Sequence, residues 1–408
     1  MTTALVAGAD PRLRHARLAV AALFFTNGAL FANILPRYPQ IKEQLGLDNA
    51  SYGLAIAAFP TGAIVAGLTA GVLIRRFGSG RVAVAGTALT SVGVLAAGLA
   101  PSVAIFAGAL FLAGAMDAVT DVGQNAHGLE VQRRYRRSII NSFHAVWSIG
   151  AVTGGGMAAL AIAFDVPLGL HLGISAAIFS ATAVIALWWC LSDSRDVDEP
   201  TGTPSNDRSA GGRVLSVRTV LVVSALVLIA IGGTVVEDSG FSWASLYLSG
   251  SLQAAAALAA VGYIALVGAQ FIGRVVGDRL VDRFGQRTVA RTGGLITALG
   301  MGTALAFPTV PGTILGFAAA GFGVATLVPA AMHEADELPG LRPGTGLTLV
   351  SWLMRLGFLL SPPVVGAIAD ATSLRLGLVV VPAAGVLVVL LAGVLQQRQR
   401  PLADHAVK

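Results

Sequence analysis

The sequence predicts an all-α membrane protein of twelve transmembrane helices in two pseudo-symmetric six-helix bundles. Three observations carry this. Of the 408 residues, 55% are hydrophobic and only 12% are charged, against roughly 25% charged in soluble chains. The apolar residues fall in runs of about 20, the length that crosses a bilayer as a helix. The two halves of the chain also repeat each other on either side of a polar segment. Lipid-facing surface thus replaces water-facing surface, and the 50 glycines suit helices that must approach closely within a membrane.

The apolar runs place spans at 18–43, 50–74, 82–100, 102–129, 138–163 and 169–191, then at 217–249, 254–280, 288–307, 311–335, 345–370 and 374–396. The stretch Ser192–Arg213, SDSRDVDEPTGTPSNDRSAGGR, is the one long hydrophilic segment and reads as a flexible linker. The expected organisation is an N-terminal bundle over 1–191, a cytoplasmic linker over 192–216 and a C-terminal bundle over 217–408. Met1 to Arg17 is polar and basic, and the apolar run after it is too long for a signal-peptide core.

Lysine and arginine set the orientation. Of the 27 basic residues, 22 fall on one set of helix ends, among them Arg75, Arg76, Arg81, Arg133, Arg134, Arg136, Arg137, Arg279 and Arg283. The opposite ends carry only Arg37, Lys42 and Arg375, while Arg274 and Arg355 lie inside spans. Alternating loops are therefore expected in the cytoplasm, with both termini inside. The net charge of +6 is a topology signal here and not a nucleic-acid surface, because it is spread over short loops. Arginine replaces lysine everywhere except Lys42 and Lys408, which suggests a GC-rich bacterial genome and hence a bacterial cytoplasmic membrane.

Several function classes are excluded on motif grounds. No Gly-x-x-x-x-Gly-Lys-Ser/Thr loop is present, so ATP is not the direct energy source. No His-Glu-x-x-His or Gly-x-Ser-x-Gly pattern suggests an enzyme. The one cysteine, Cys190, can form neither an intramolecular disulfide nor a thiolate metal cluster. No metal and no cofactor are expected, and an ion gradient, most simply of protons, remains as the driving force.

The turn GVLIRRFGSGRV, Gly71 to Val82, matches DRLVDRFGQRTV, Asp278 to Val289, with Arg-Phe-Gly aligned at Arg76-Phe77-Gly78 and Arg283-Phe284-Gly285. The same register puts Gly150 on Gly357. Parallel repeats of this kind build carriers with a midplane site between the halves. In these features the chain resembles the major facilitator superfamily over nearly its whole length. That family's turn after its second helix reads roughly Gly-x-x-x-Asp-Arg-x-Gly-Arg-Arg. Gly71, Arg76, Gly78 and Arg81 match it or nearly so, whereas Arg75 replaces the acid; the second copy keeps an acid at Asp282, beside Arg283 and Gly285. The resemblance implies a cytoplasmic gate formed by these residues, with Asp282 pairing with Arg136 or Arg137. The run Gly150 to Gly156 resembles the family's antiporter signature without its proline, and equally fits a small-xxx-small helix contact. The segments NSFHAVWSIG and EDSGFSWASLYL resemble the fucose-permease-related branch.

A charge within the bilayer core costs at least about 2.5–3.5 kcal/mol, so each one invites a functional reading. Asp117, Asp121 and Asn125 recur every four residues and share one helical stripe. Two carboxylates one turn apart repel, and the pair is expected to share a proton as a coupled site; pairing with a buried arginine is the structural alternative. Glu237, Asp238, Arg355 and His144 are the other interior ionisable groups. Arg355 needs a partner, either an acid (Asp117, Glu237 or Asp238) or a polar or anionic group of a substrate. His144 would relay protons or hydrogen-bond Asn125. Asn27, Trp147, Trp352, Trp243 and Tyr247 complete the expected cavity lining, with interfacial anchoring the alternative for the last two.

The expectation is a secondary transporter for a small organic solute, working by alternating access. Proton-coupled efflux by drug/proton antiport is favoured over proton symport of a sugar-like or other polar solute. Asp117, Asp121, Glu237, Arg355 and His144 would handle the proton. A non-transporting sensor or scaffold is the reading from another class, weakened by the short linker and tail. Protons, a small solute and lipid are the expected partners, and the carrier is expected to be a monomer.

Overall fold

Apolar runs of this length leave the backbone no partner but itself in lipid, so they must close their hydrogen bonds as helices. The computed structural model describes residues 11–135, 139–191, 216–338, 341 and 344–396, and among these there are helices and no strands. The first half comprises α1 (Pro11–Gln44), α2 (Asn49–Gly67, continued by Ala70–Phe77), α3 (Ser79–Gly98), α4 (Val103–Tyr135), α5 (Ile140–Ala163) and α6 (Leu168–Leu187). The second comprises α7 (Val217–Ser251), α8 (Ala256–Phe284), α9 (Gln286–Ala306), α10 (Val310–Asp336), α11 (Thr345–Ala371) and α12 (Leu374–Val394). Eleven of these are long and apolar enough to cross a membrane. The remaining one, α9, has 21 residues, and Arg287 and Arg291 in its first turns lower its mean hydropathy. The linker expected over 192–216 falls, up to residue 215, outside the described residues.

Helix ends follow local chemistry. Asp48 caps α2 by accepting from the Ser51 amide at 2.7 Å, and Ser216 caps α7 by accepting from the Thr219 amide at 3.1 Å. The repeated Arg-Phe-Gly turn is realised twice in the same form. Gly78 and Gly285 have φ of 91° and 82°, a region open to glycine and costly for other residues. In each copy the arginine lies over the following phenylalanine ring, 5.3 Å from its centroid.

Within each bundle, helices meet at glycines that rest on a neighbouring backbone. A side chain at Gly62 or Gly114 would collide with the Phe111 or Phe59 carbonyl across α2 and α4, and at Gly150 or Gly154 with the Phe25 or Ala29 carbonyl across α1 and α5. Gly357, the repeat partner of Gly150, packs on Thr234 across α7 and α11 in the equivalent place. The glycine run of α5 is thus a helix-packing surface. Its third side, Gly155, faces Tyr263 of the other half.

The halves meet at the arginine-poor ends. There Gly53 of α2 rests on Pro362 of α11, and Gly366 rests on Asn49. The Asp370 carboxylate, at the end of α11, accepts from the Asn49 amide (3.1 Å), the Asn49 side-chain amide (2.7 Å) and the Ala50 amide (2.7 Å). One bundle therefore caps the first helical turn of the other. Beneath this clasp, the Tyr52 hydroxyl donates to the Ser242 carbonyl at 2.8 Å, and the Tyr52 ring sits edge-on to Trp243 with centroids 5.0 Å apart. On the far side of this seal, toward the arginine-rich ends, the bundles enclose a cavity.

Candidate functional site

The cavity has a volume of about 540 Å3 and takes its walls from both bundles. Asn27, Asp117, Asp121, His144 and Trp147 line one wall; Arg274, Trp352, Arg355, Phe241 and Tyr263 line the other. Helical periodicity explains the first wall, because a stripe spaced by four residues faces one direction.

Asp117 is held by a chain of hydrogen bonds across three helices. The Asn27 amide nitrogen donates to Asp117 Oδ1 at 2.7 Å. Trp147 Nε1 in turn donates to Asn27 Oδ1 at 2.8 Å. Asn27 is itself buried, so its orientation is fixed by having both partners. One turn along, Asp121 accepts from Gln124 at 3.3 Å and from Asn125 at 3.0 Å. Asn125 also donates to the Asp121 carbonyl at 2.8 Å. It braces the carboxylate and does not line the cavity, and the contact expected with His144 is not made. His144 and Arg355 line the same cavity as Asp121. Asp121 is exposed through the cavity, whereas Asp117 is half-buried.

The opposite wall contains two interior arginines with different surroundings. Arg274 lies 3.9 Å from Glu237 and reaches Ser148 of the first bundle at 3.5 Å. Sequence reasoning noted Arg274 as intramembrane and gave it no role. The pairing joins α7 to α8, and no spacing rule within one helix reports it. Arg355 has no ion pair with any described residue. Neither Asp117 nor Glu237 nor Asp238 reaches it, so of the two partners expected for it the acid is not found among the described residues.

Three further expected lining residues lie elsewhere. Trp243 and Tyr247 are 0% and 1% exposed, packed inside the seal and not on the cavity wall or the membrane interface. Their shared face was legible from the spacing of four; its direction was not, because polar residues such as Glu237, Asp238, Ser242 and Ser245 are spread around α7 and leave no single apolar stripe. Asp238 is also buried behind the seal, accepting from Ser242 at 3.1 Å. Trp352, by contrast, is 54% exposed and does line the cavity. Of the gate motif, Gly71, Arg75, Arg76, Arg81, Asp282 and Arg283 are exposed at the arginine-rich ends. The expected partners of Asp282, Arg136 and Arg137, lie outside the described residues.

Two helical bundles sealed at one end around a polar central cavity define a membrane carrier and not an enzyme. The model of the Major Facilitator Superfamily matches residues 20–280 and 243–407, and the chain belongs to that family. It is similar to the "Uncharacterized transporter y4wD" of Sinorhizobium fredii, 30% identical over 378 residues that span 93% of this chain and 97% of the relative. It is also similar to "Membrane protein MosC" of Rhizobium meliloti, 28% identical over 375 residues, 91% and 88% of the two chains. Among solved structures, a D-xylose-proton symporter superposes with a TM-score of 0.72 at 16% identity, covering 93% of this chain and 96% of that one. The nucleoside transporter NupG gives 0.69 at 12% identity, covering 93% and 98%. At these identities the structural likeness shows the fold alone. The protein is a multi-pass membrane transporter of the secondary kind.

Proposed function

We propose that the protein couples movement of a small organic solute to protons, exporting the solute in exchange for protons entering the cell. The observation that carries this is the placement of Asp117 and Asp121 on the wall of the cavity between the bundles. A proton and a solute then compete for the same space, which is what exchange requires. The bias of arginine toward one set of ends supports a cytoplasmic location for the termini. In that orientation the cavity lies on the cytoplasmic side of the seal, as an inward-facing carrier needs for loading cargo. Asn27 and Trp147 hold Asp117 in place, and His144 stands beside Asp121 as a relay.

A second reading, symport of a polar solute, is favoured by one specific observation. Arg274 and Arg355 share the cavity with the two acids, which disfavours a purely cationic cargo. Proteoliposomes in a weakly buffered medium with a pH indicator separate the two. When a panel of sugars, amines and organic acids is added outside, a solute entering by antiport acidifies the medium, and one entering by symport makes it alkaline. Either signal should vanish in the Asp117→Asn, Asp121→Asn double variant. Proton movement that persists undiminished in that variant rules out these residues as the coupling site.

A further inference from the structure

We infer that Arg355 recognises an anionic group on the transported solute, so that the cargo carries a carboxylate or a group of like charge. This rests on the reading of the cavity as the transport site. Three features of the cavity lead to it. An arginine in a membrane span is costly unless it is paired or watered, and Arg355 has neither an ion pair nor a hydrogen-bond acceptor among the described residues. The second cavity arginine provides an internal comparison, since Arg274 already has Glu237 at 3.9 Å and Ser148 at 3.5 Å. Only Arg355 therefore presents a guanidinium whose donors are all available. A guanidinium matches a carboxylate by two parallel hydrogen bonds, and its neighbour one turn back, the exposed Trp352, offers a flat apolar face for the rest of the solute.

The acids on the facing wall determine how such a cargo is tolerated. Asp121 lines the same cavity as Arg355, and an ionised Asp121 would repel an incoming anion. Protonation of the acid pair removes that repulsion. Arg355 thus distinguishes cargo by charge, and a cargo of this charge binds together with protons, so for it the same cavity works by the symport reading.

Trp352 and Trp147 both line the cavity, so collisional quenching of tryptophan fluorescence reads its charge directly. The component of interest is the fluorescence lost in Trp352→Phe. In the purified protein, iodide should quench that component several-fold more efficiently than caesium, with neutral acrylamide as the reference. Arg355→Gln should abolish the preference while leaving acrylamide quenching unchanged. Matched pairs, gluconate with glucose and benzoate with benzamide, are then added as competitors. Protection from iodide by the acids and not by their uncharged partners supports the inference. Equal quenching by iodide and caesium, an iodide preference that survives Arg355→Gln, or protection by the uncharged partners alone overturns it. Solute-driven proton movement, measured on the same preparations, is independent of this result. If it persists without anion preference, the inference fails and the transport reading stands; if it is lost with the preference intact, Arg355 binds anions but the proton-coupled transport reading fails, and with it the assignment of the bound anion as cargo.

Discussion

Asn27 joins two bonds that neither neighbour makes alone: it donates to Asp117 and accepts from Trp147. Removing the indole donor should therefore act on the acid at one remove. Trp147→Phe keeps an aromatic ring but loses the pyrrole part of the indole with its N–H, leaving Asn27 Oδ1 without its partner. The expected cost is about 1–3 kcal/mol, seen as a lowered melting temperature of the purified protein, together with weaker solute-dependent proton movement. Asn27→Leu, which breaks both bonds, should be worse on both counts. A Trp147→Phe protein with unchanged melting and unchanged coupling would show that the chain of bonds does not hold Asp117. The stripe of Asp117, Asp121 and Asn125 was legible because periodicity fixes relative direction within a helix. Partners on other helices, Asn27 for Asp117 and Glu237 for Arg274, were not, because nothing in a linear spacing encodes which helices become neighbours.

At the scale of helices, the clasp between α2 and α11 is the element that must break when the far side of the carrier opens. Asp370 satisfies amides at the start of α2 that water would otherwise serve. A side-chain cap contributes about 0.5–2 kcal/mol, and each 1.4 kcal/mol is a tenfold change in a population ratio. Asp370→Ala should shift the equilibrium about tenfold toward the state open at the arginine-poor end. Cysteine labelling reads this: Ser245, buried in the seal, is replaced by cysteine in a Cys190→Ser background. Its reaction with an impermeant maleimide should accelerate about tenfold when Asp370 is removed, and an unchanged rate would show that the clasp does not hold the seal shut. Element count was legible in the sequence, since hydropathy and length mark each span, the one at 288–307 included. That helix, α9, gives a weak signal because Arg287 and Arg291 fall in its opening turns. The burial of Trp243 and Tyr247 escaped notice because polar and apolar residues mix around this part of α7, so the side facing the other bundle carries no distinguishing mark.

For the molecule as a whole, orientation is the remaining axis. With the arginine-rich ends in the cytoplasm, green fluorescent protein fused after Lys408 should fluoresce, and alkaline phosphatase at the same point should be inactive. Phosphatase fused after Gln253, in the turn between α7 and α8, should be active. The opposite pattern would invert the cavity and turn the proposed export into import. The two-fold repeat was readable from Arg76-Phe77-Gly78 and Arg283-Phe284-Gly285, and it recurs in the structure down to the glycine dihedral. What the repeat does not copy is the cavity chemistry, with acids on one wall and arginines on the other.

The glycine contacts inside each bundle separate two jobs that most folds ask of the same side chains. Where Gly62, Gly114, Gly150 and Gly154 rest on bare carbonyls, the frame is set by backbone shape and owes little to the groups facing the cavity. Such a chassis can change its cargo by exchanging a few lining residues, with little penalty to assembly. Descendants of one ancestral carrier would then be expected to keep their glycines while their Arg355 and Trp352 positions diverge.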